Sequence, residues 1–450
     1  MKQLKKLNHY YCLFSLIFLL IFLWLKDGLE YPQYYDAGLY INLSTKFGEF
    51  FSKQIYFPDT YRGYLFPWLI GLITKLLPLN FAVIFINSSL IVLLSYYLLP
   101  TIQNSIFNNP QQNNYSGIFY FVLITYFWSG YFQYALSDFP ALICLLASII
   151  LLLKNKLKYI FWSGIFLASA LNIRPIYQIN LLVFFIFIIL IYKRNYLAYL
   201  LMLLGFIIVL LPQSIINYHY NNTYSPFVQT SKTFGHNLYT QQLYWGVEVQ
   251  KYETYVGEKS LYPSPSVIFK DSQGVKLYHS ELENKLQNTT NYIGFILQHP
   301  IFYSKLILKH LFNGVDIKYR SPYIVDLSIS NWFSLFNYLV LALSFYCLIL
   351  NNINQNHAKL CKSTLKKIFI YLNLIMPILL VIPIAIEVRF FLPIYLLSYI
   401  YVVNGLFKIA KLKVNLLLGF VLICFIVGSG FWLSHITYNE LSYVKGIEKL

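Results

Sequence analysis

Charged residues are scarce in this sequence of 450 amino acids. Only 11% of the residues are Asp, Glu, Lys or Arg, whereas 58% are apolar, and the mean hydropathy is +0.56. Soluble domains carry about 25% charged residues, so this composition excludes a soluble globular protein. The net charge of +17 is therefore interpreted loop by loop against a membrane, and we expect no nucleic-acid partner.

Cysteine is also rare, and the common catalytic motifs are missing from the sequence. None of the five cysteines lies in the long hydrophilic stretch 217–330, which argues against a disulfide framework or a zinc cluster there. The sequence has neither a Gly-rich dinucleotide loop nor a P-loop. It also lacks the Ser–His–Asp ordering of a hydrolase and the paired His of a zinc enzyme.

Long apolar runs are what the sequence does contain. A spanning helix needs about 20 mostly apolar residues, and eleven runs reach or approach that length. They are 7–25, 81–102, 115–133, 138–153, 159–173, 176–192, 196–216, 331–350, 368–386, 390–407 and 414–433. The predicted fold is an all-α polytopic membrane protein with about 11 transmembrane helices, outer juxtamembrane helices in the first loop and a small outer subdomain.

Lys and Arg positions predict the orientation of these runs. The N-terminus carries Lys2, Lys5 and Lys6 and no cleavage site, so we expect a retained anchor with a cytoplasmic N-terminus. The run 64–74 is interrupted by Lys75 and Pro78, and we leave 64–77 outside the membrane. Five inner segments then hold 15 Lys and Arg and no acid: 1–9, 154–158, 193–194, 351–367 and 408–413.

The outer segments hold the other 19 Lys and Arg and all 17 Asp and Glu. Acids were not used to set the orientation, so this partition supports it. The topology predicts an N-terminal membrane module 1–216 with a first outer loop 26–79, an outer subdomain 217–330, and a C-terminal membrane module 331–450. Within the outer subdomain, 280–297 and 300–312 have the pattern of amphipathic helices.

A few ionisable residues are expected at the outer rim of the membrane. Asp36, Asp138, Arg174, Glu387 and Arg389 come from distant parts of the chain, and the topology places all of them there. Ionisable groups kept at membrane depth usually face a cavity or a partner. Simpler interpretations stay open: Asp138 as a helix N-cap, the arginines as interfacial anchors, and Glu387 with Arg389 as a local pair.

Cations and carboxylates at an outer rim suit a lipid-linked phosphate. Arg holds phosphate oxygens and a carboxylate can act as a base. ATP and nucleotide sugars are cytoplasmic, so a transferase on the outer face needs an activated donor that crosses the membrane. A polyprenyl phosphate can carry one.

The layout resembles the GT-C superfamily of polytopic glycosyltransferases. It is most similar to the branch that contains protein O-mannosyltransferases and lipid A aminoarabinose transferases, and the resemblance covers most of the chain in order. The matching segments are 35–40 (YDAGLY), 62–67 (RGYLFP), 137–141 (SDFPA), 173–175 (IRP), the helix that follows 299–300 (HP), and 387–393 (EVRFFLP).

This resemblance implies a membrane glycosyltransferase at the outer face of the plasma (bacterial inner) membrane. The enzyme would transfer a sugar, with inversion, from a polyprenyl phosphate to a hydroxyl of a glycan, lipid or protein. Asp36 would be the catalytic base. Many members have Asp-Glu where this chain has Asp36-Ala37, so a second acid would come from elsewhere. The members of the superfamily differ in whether a divalent cation takes part, and the sequence shows no decisive ligand set.

The remaining site residues are likewise implied by the resemblance. The second acid would be Asp59, Asp138 or Glu387. The donor phosphate would bind Arg62, Arg174 and Arg389, with Lys309, His310 and Arg320 as further candidates. Two alternatives stay open: an O-antigen polymerase or ligase that uses a polyprenyl-linked oligosaccharide, and a transporter or flippase without chemistry.

Overall fold

Long apolar helices dominate the computed structural model. It describes residues 2–27, 32–46, 62–107, 115–193, 195–228, 238–256, 266–285, 287–353, 361–409, 416–440 and 442–444. The chain divides into two compact units, Met1–Thr233 with Ala358–Pro377, and Phe234–His357 with Ile378–Leu450. Helices suit these apolar runs because a helix satisfies its own backbone hydrogen bonds in a lipid environment.

The first unit is helical throughout its described elements. In chain order these are α1 (Lys2–Asp27), α2 (Tyr35–Lys46), α3 (Leu65–Ile73), α4 (Leu79–Leu93), α5 (Leu99–Phe107), α6 (Ser116–Trp128), α7 (Asp138–Leu153), α8 (Leu157–Ile173), α9 (Asn180–Tyr192) and α10 (Tyr196–Asn221). A π turn, Leu94–Leu98, joins α4 to α5. Short 3₁₀ turns follow α6 and α8, at Ser129–Tyr131 and Pro175–Ile179.

Helix α8 is the centre of the first unit, because it packs against both α7 and α10. Small residues permit this close approach: a Cβ on Gly164 would lie 2.4 Å from the Met202 carbonyl oxygen, and one on Gly205 would lie 2.3 Å from that of Phe161. Ser148 and Ser163 also exchange hydrogen bonds between α7 and α8. Small residues and polar side chains of this kind are typical of helix pairs in membranes.

The second unit combines helices with a small sheet. Its helices are α11 (Leu238–Glu248), α12 (Ser272–Leu277), α13 (Thr289–Gln298), α14 (Pro300–Val315), α15 (Asn331–Ile353), α17 (Leu392–Ile409) and α18 (Leu416–Asn439). Helix α16 (Cys361–Val381) begins in the first unit and ends in the second. A π turn, Tyr278–Leu282, and a 3₁₀ turn, Val388–Phe391, complete the helical elements described here.

The sheet has four strands in the order β3-β1-β2-β4. They are β1 (Val249–Tyr255), β2 (Ser266–Lys270), β3 (Tyr323–Ile324) and β4 (Ser442–Val444). β2 pairs antiparallel with β1 and β4, and β1 pairs parallel with β3. The sequence did not predict this sheet, because its strands are short and their partners are far apart along the chain.

In the part of the chain that the structure describes, eight helices are long and apolar enough to cross a membrane. They are His9–Lys26, Leu79–Phe107, Pro175–Tyr192, Tyr196–His219, Asn331–Asn351, Thr364–Val381, Val388–Leu406 and Gly419–Asn439. The prediction of a largely α-helical chain with several membrane-length helices is thus confirmed. Three further predicted spans are shorter helices, α6, α7 and α8, of 13, 16 and 17 residues. The count of eleven spans stays a prediction.

Two finer predictions concern short helices. Helix α3 has nine residues, or about 13 Å at 1.5 Å per residue, far less than the roughly 30 Å of a hydrocarbon core, as expected for 64–77. The predicted amphipathic helices 280–297 and 300–312 correspond to α13 and α14. The first was predicted to start too early, because the Asn288 side chain caps α13 by accepting from the Asn291 N–H.

Candidate functional site

Asp36 lies in the first turn of α2, beside a residue with an unusual backbone. Tyr35 has a φ of 39°, a left-handed conformation that bulky residues rarely adopt and that tends to occur at functional sites. The Asp36 carboxylate lies at the positive end of the helix dipole. An open depression of about 590 Å³ borders it, lined by Gln33, Tyr35, Asp36, Gly38, Leu39, Ile41 and Asn42.

Arg62 forms an ion pair with Asp36. Its guanidinium carbon also lies 5.4 Å from the centre of the Tyr40 ring, one helical turn beyond Asp36, within the range of a cation–π contact. The side chains of Asp36 and Arg62 are 29% and 24% exposed. Asp36 lines the depression, its partner Arg62 is partly exposed, and the site offers a carboxylate next to a cation.

Gln33 fixes the start of α2 to the chain before α7. Its side-chain amide donates to the Gln133 carbonyl at 2.9 Å and accepts from the Ala135 N–H at 3.0 Å. These two hydrogen bonds hold the Asp36 segment next to the turn that leads into Asp138.

Asp138 and Arg174 form a second ion pair in the first unit. Asp138 is the first residue of α7, Arg174 follows the last residue of α8, and their side chains are 2% and 18% exposed. The interpretation of Asp138 as an N-cap is wrong: Ser137 occupies the N-cap position, and the Asp138 carboxylate contacts Arg174. Arg174 compensates the charge of the buried Asp138 carboxylate, which would be costly to leave unpaired in the protein interior.

Glu387 and Arg389 belong to the second unit and form a local pair, with Nε of Arg389 2.8 Å from Oε2 of Glu387. The local pair that the sequence left open as an alternative is thus present. The Tyr252 hydroxyl donates to the same Glu387 oxygen at 2.9 Å. The predicted meeting of all five ionisable residues at one rim stays a prediction, and Asp59 lies outside the described residues.

Three further candidates lie on or after α14. Lys309 bonds to Asp271 at 2.5 Å and to Glu440 at 2.8 Å. Burial lowers the pKa of Lys309, but these two carboxylates together outweigh burial, so the pKa is raised. His310 is fully buried and its Nδ1–H donates to the Ile382 carbonyl; burial lowers its pKa to about 4. His310 is therefore neutral near pH 7. Arg320 is exposed and lies over the Phe333 ring at 5.2 Å.

A buried charge cluster in the second unit was not predicted. Lys251 lies 3.6 Å from the Asp316 carboxylate and 3.4 Å from Glu253, and Lys318 lies 3.3 Å from Asp316. Tyr338 donates to Asp316 at 2.6 Å and Ser434 donates to it at 3.1 Å. One sequence signal could have indicated part of this cluster. Residues two apart on a strand share one face, and Lys251 and Glu253 are two apart on β1.

Burial shifts the pKa values in this cluster. Desolvation raises the pKa of Glu253 to about 7 against the opposing effect of Lys251, and desolvation lowers the pKa of Lys318. Lys251 and Asp316 are both fully buried. These groups are enclosed by protein partners, so the cluster stabilises the junction of β1, α14, α15 and α18.

Neither a scan of protein-family models nor a search of curated proteins gives a match. Across the described ranges, no group of three or more His, Cys, Asp or Glu side chains is placed to hold a metal ion. The assignment of function therefore depends on the geometry around Asp36.

Proposed function

We propose that this protein is a membrane glycosyltransferase that moves a sugar from a polyprenyl phosphate to an acceptor hydroxyl on the outer face of the plasma membrane. The observation that supports this most is the ion pair of Asp36 and Arg62 beside an open depression. In this pair a carboxylate, which can act as a base, lies next to a guanidinium, which can bind a phosphate, and both follow the first apolar helix. The resemblance to GT-C enzymes assigns the same two roles to the same two residues.

The proposed reaction is a single displacement. Asp36 accepts the proton of the acceptor hydroxyl, and the oxygen attacks the anomeric carbon of the donor. The bond from that carbon to the phosphate oxygen breaks, and its electron pair leaves with the polyprenyl phosphate. The configuration at the anomeric carbon is inverted, because attack and departure occur on opposite faces.

Arg62 has two successive partners in this proposal. In the unliganded protein it neutralises Asp36, and on donor binding it contacts the phosphate, where a planar guanidinium can bind two oxygens. Transfer of the cation to the phosphate releases the carboxylate to act as a base. Arg174 is the second candidate for phosphate binding, and the buried Asp138 would hold it in place rather than act as a second acid.

The test is transfer in vitro from polyprenyl-phosphate sugars with single-residue variants. Asp36→Asn removes the base and should lower kcat by about 10²–10⁴-fold. Arg62→Gln removes a group that stabilises the leaving phosphate, with an expected loss of about 10²–10³-fold. Affinity for undecaprenyl phosphate separates the two roles: it should fall in Arg62→Gln and be kept or raised in Asp36→Asn, which removes the carboxylate that competes for Arg62.

Asp326→Asn is the matched control, because Asp326 is an exposed carboxylate bonded only locally, to Ser328. It should retain full transfer. Full activity of Asp36→Asn would rule out the catalytic assignment. Transfer of a preassembled oligosaccharide alone would identify a polymerase or ligase, and lipid translocation without transfer would identify a flippase.

A further inference from the structure

The backbone directly after Arg62 is held by the ends of α8 and α10. The Leu65 N–H donates to Oδ1 of Asn172 at 2.9 Å, and the Tyr64 N–H donates to Oε1 of Gln213 at 3.3 Å. Gly63 lies so close to α8 that a Cβ would come within 1.7 Å of the Asn172 carbonyl oxygen. Only glycine fits this approach, so the position of residue 63 is tightly set.

The Tyr64 side chain provides a further anchor on α10. Its hydroxyl donates to the Val209 carbonyl, one helical turn before Gln213, at 2.9 Å. Residues 63–65 are thus fixed by side-chain and main-chain bonds on two helices.

Three buried amides connect this segment to the residues that follow α10. Nδ2 of Asn172 donates to Oε1 of Gln213 at 2.9 Å, and Nε2 of Gln213 donates to Oδ1 of Asn217 at 3.1 Å. Nδ2 of Asn217 then donates to the carbonyls of Ser225 and Phe227, both at 2.7 Å. We call Asn172, Gln213 and Asn217 the amide chain; their exposures are 2%, 1% and 0%.

The direction of the amide chain is fixed at both ends. A main-chain N–H of Leu65 requires an oxygen from Asn172, and two main-chain carbonyls require the nitrogen of Asn217. Every amide between them must therefore point the same way. A carboxylate at any of the three positions would place two acceptors against each other in a buried site, which is costly.

From this geometry we infer that the amide chain positions Arg62 for the donor phosphate. Asn172 also lies two residues before Arg174, so one side chain lies beside the backbone of both Arg62 and Arg174. The amides do not touch the reacting atoms and act through the backbone of residues 63–65. They are positioning residues, and the inference rests on the proposed function only in naming a lipid phosphate as the ligand of Arg62.

Gln213→Glu is the sharpest test. The variant keeps the oxygen that accepts from Tyr64 and Asn172 but replaces the nitrogen that Asn217 needs. The matched control is Gln103→Glu, since Gln103 is a buried glutamine of the same unit whose oxygen accepts from the Tyr120 hydroxyl at 2.9 Å. Both proteins are purified full-length in detergent, and the affinity for undecaprenyl phosphate and the thermal unfolding midpoint are measured.

We expect Gln213→Glu to bind undecaprenyl phosphate about tenfold more weakly, the equivalent of one hydrogen bond to a charged group. Gln103→Glu should keep the wild-type affinity even if its unfolding midpoint falls. In the transfer assay, the donor KM should rise in Gln213→Glu more than kcat falls. A purely structural role would lower the midpoint of both variants and leave both affinities unchanged, and that result overturns the inference.

The two proposals fail separately. If phosphate binding depends on both Arg62 and Gln213 but no sugar is transferred, the positioning role of the amide chain stands and the glycosyltransferase function is rejected. If sugar is transferred but Gln213→Glu keeps the wild-type affinity, the glycosyltransferase function stands and the positioning role is rejected. Wild-type protein that does not bind undecaprenyl phosphate would overturn the inference on the amide chain.

Discussion

At the scale of single residues, burial separates the charges that can bind a ligand from those that stabilise the fold. Asp36 and Arg62 keep 29% and 24% of their side-chain surface exposed, whereas Lys251 and Asp316 keep none. A partly exposed ion pair contributes less to stability than its charges suggest, because solvent screens it, and its charges can still contact a ligand. A fully buried pair stays together, because loss of one partner would leave the other charge unpaired in a low-dielectric interior and destabilise the fold.

Glu253 gives the buried cluster a defined pH dependence. Its pKa is raised to about 7 from 4.5 by burial, against Lys251 and with Glu387 and Asp316 nearby. Between these two pH values the folded protein binds more protons than the unfolded chain, so the Glu253 contribution to the free energy of unfolding falls as pH rises. His310 has the opposite slope, because its pKa is lowered to about 4 from 6.5.

We therefore predict that Glu253→Gln becomes more stable relative to the wild type as pH rises from about 5 to 7. The difference between the two unfolding midpoints, measured in detergent, isolates Glu253 because the His310 contribution is common to both proteins. Asp326→Asn is the control. Hydrogen bonds from Ser328 lower the pKa of Asp326 below 3.8, so its curve should run parallel to the wild type in this range. A parallel curve for Glu253→Gln would contradict the prediction.

At the scale of elements, α14 packs without a gap against the 3₁₀ turn that carries Arg389. Gly314 faces the Phe391 ring, and a Cβ there would come within 2.3–2.4 Å of three ring carbons. We predict that Gly314→Ala lowers the stability by about 1–3 kcal/mol, because the added methyl group overpacks this contact. The thermal unfolding midpoint measures the loss.

Gly294 in α13 offers the matched substitution, since nothing lies within 4 Å of a Cβ at that position. Gly294→Ala should raise the stability by about 0.5–1 kcal/mol, because alanine is the better helix former. The two variants should therefore shift the midpoint in opposite directions. Equal upward shifts would show that α14 does not contact the 3₁₀ turn closely.

The elements also show what the sequence could predict. Hydropathy located the helices beside Asp138 and Arg174, since each of these residues lies at the boundary of an apolar run. The sheet could not be predicted from the sequence, because its strands have two to seven residues and β2 pairs with β4 across more than 170 positions.

The amide chain could not be predicted either. Asn and Gln are common in this sequence, and only the fold shows which of them are buried together.

At the scale of the whole molecule, orientation rests on the distribution of Lys and Arg. The predicted topology places the proposed site and all 17 acids outside and needs α3 to remain on one side of the membrane. If α3 crossed, most later basic segments would move outside. The two arrangements differ in the location of the chain just after α3, at Leu76, which is 85% exposed.

Single-cysteine variants in a background without Cys12, Cys144, Cys347, Cys361 and Cys424 test this topology in spheroplasts. We predict that a membrane-impermeant maleimide labels Leu76→Cys and Ser272→Cys in intact spheroplasts. It should label Tyr196→Cys, whose native side chain is 78% exposed, only after permeabilisation. None of these substitutions changes a charge, so the bias that sets orientation is preserved. Labelling of Leu76→Cys only after permeabilisation would place the end of α3 in the cytoplasm, reverse the segments that follow it, and reject an outer site in which Arg174 joins Asp36 and Arg62.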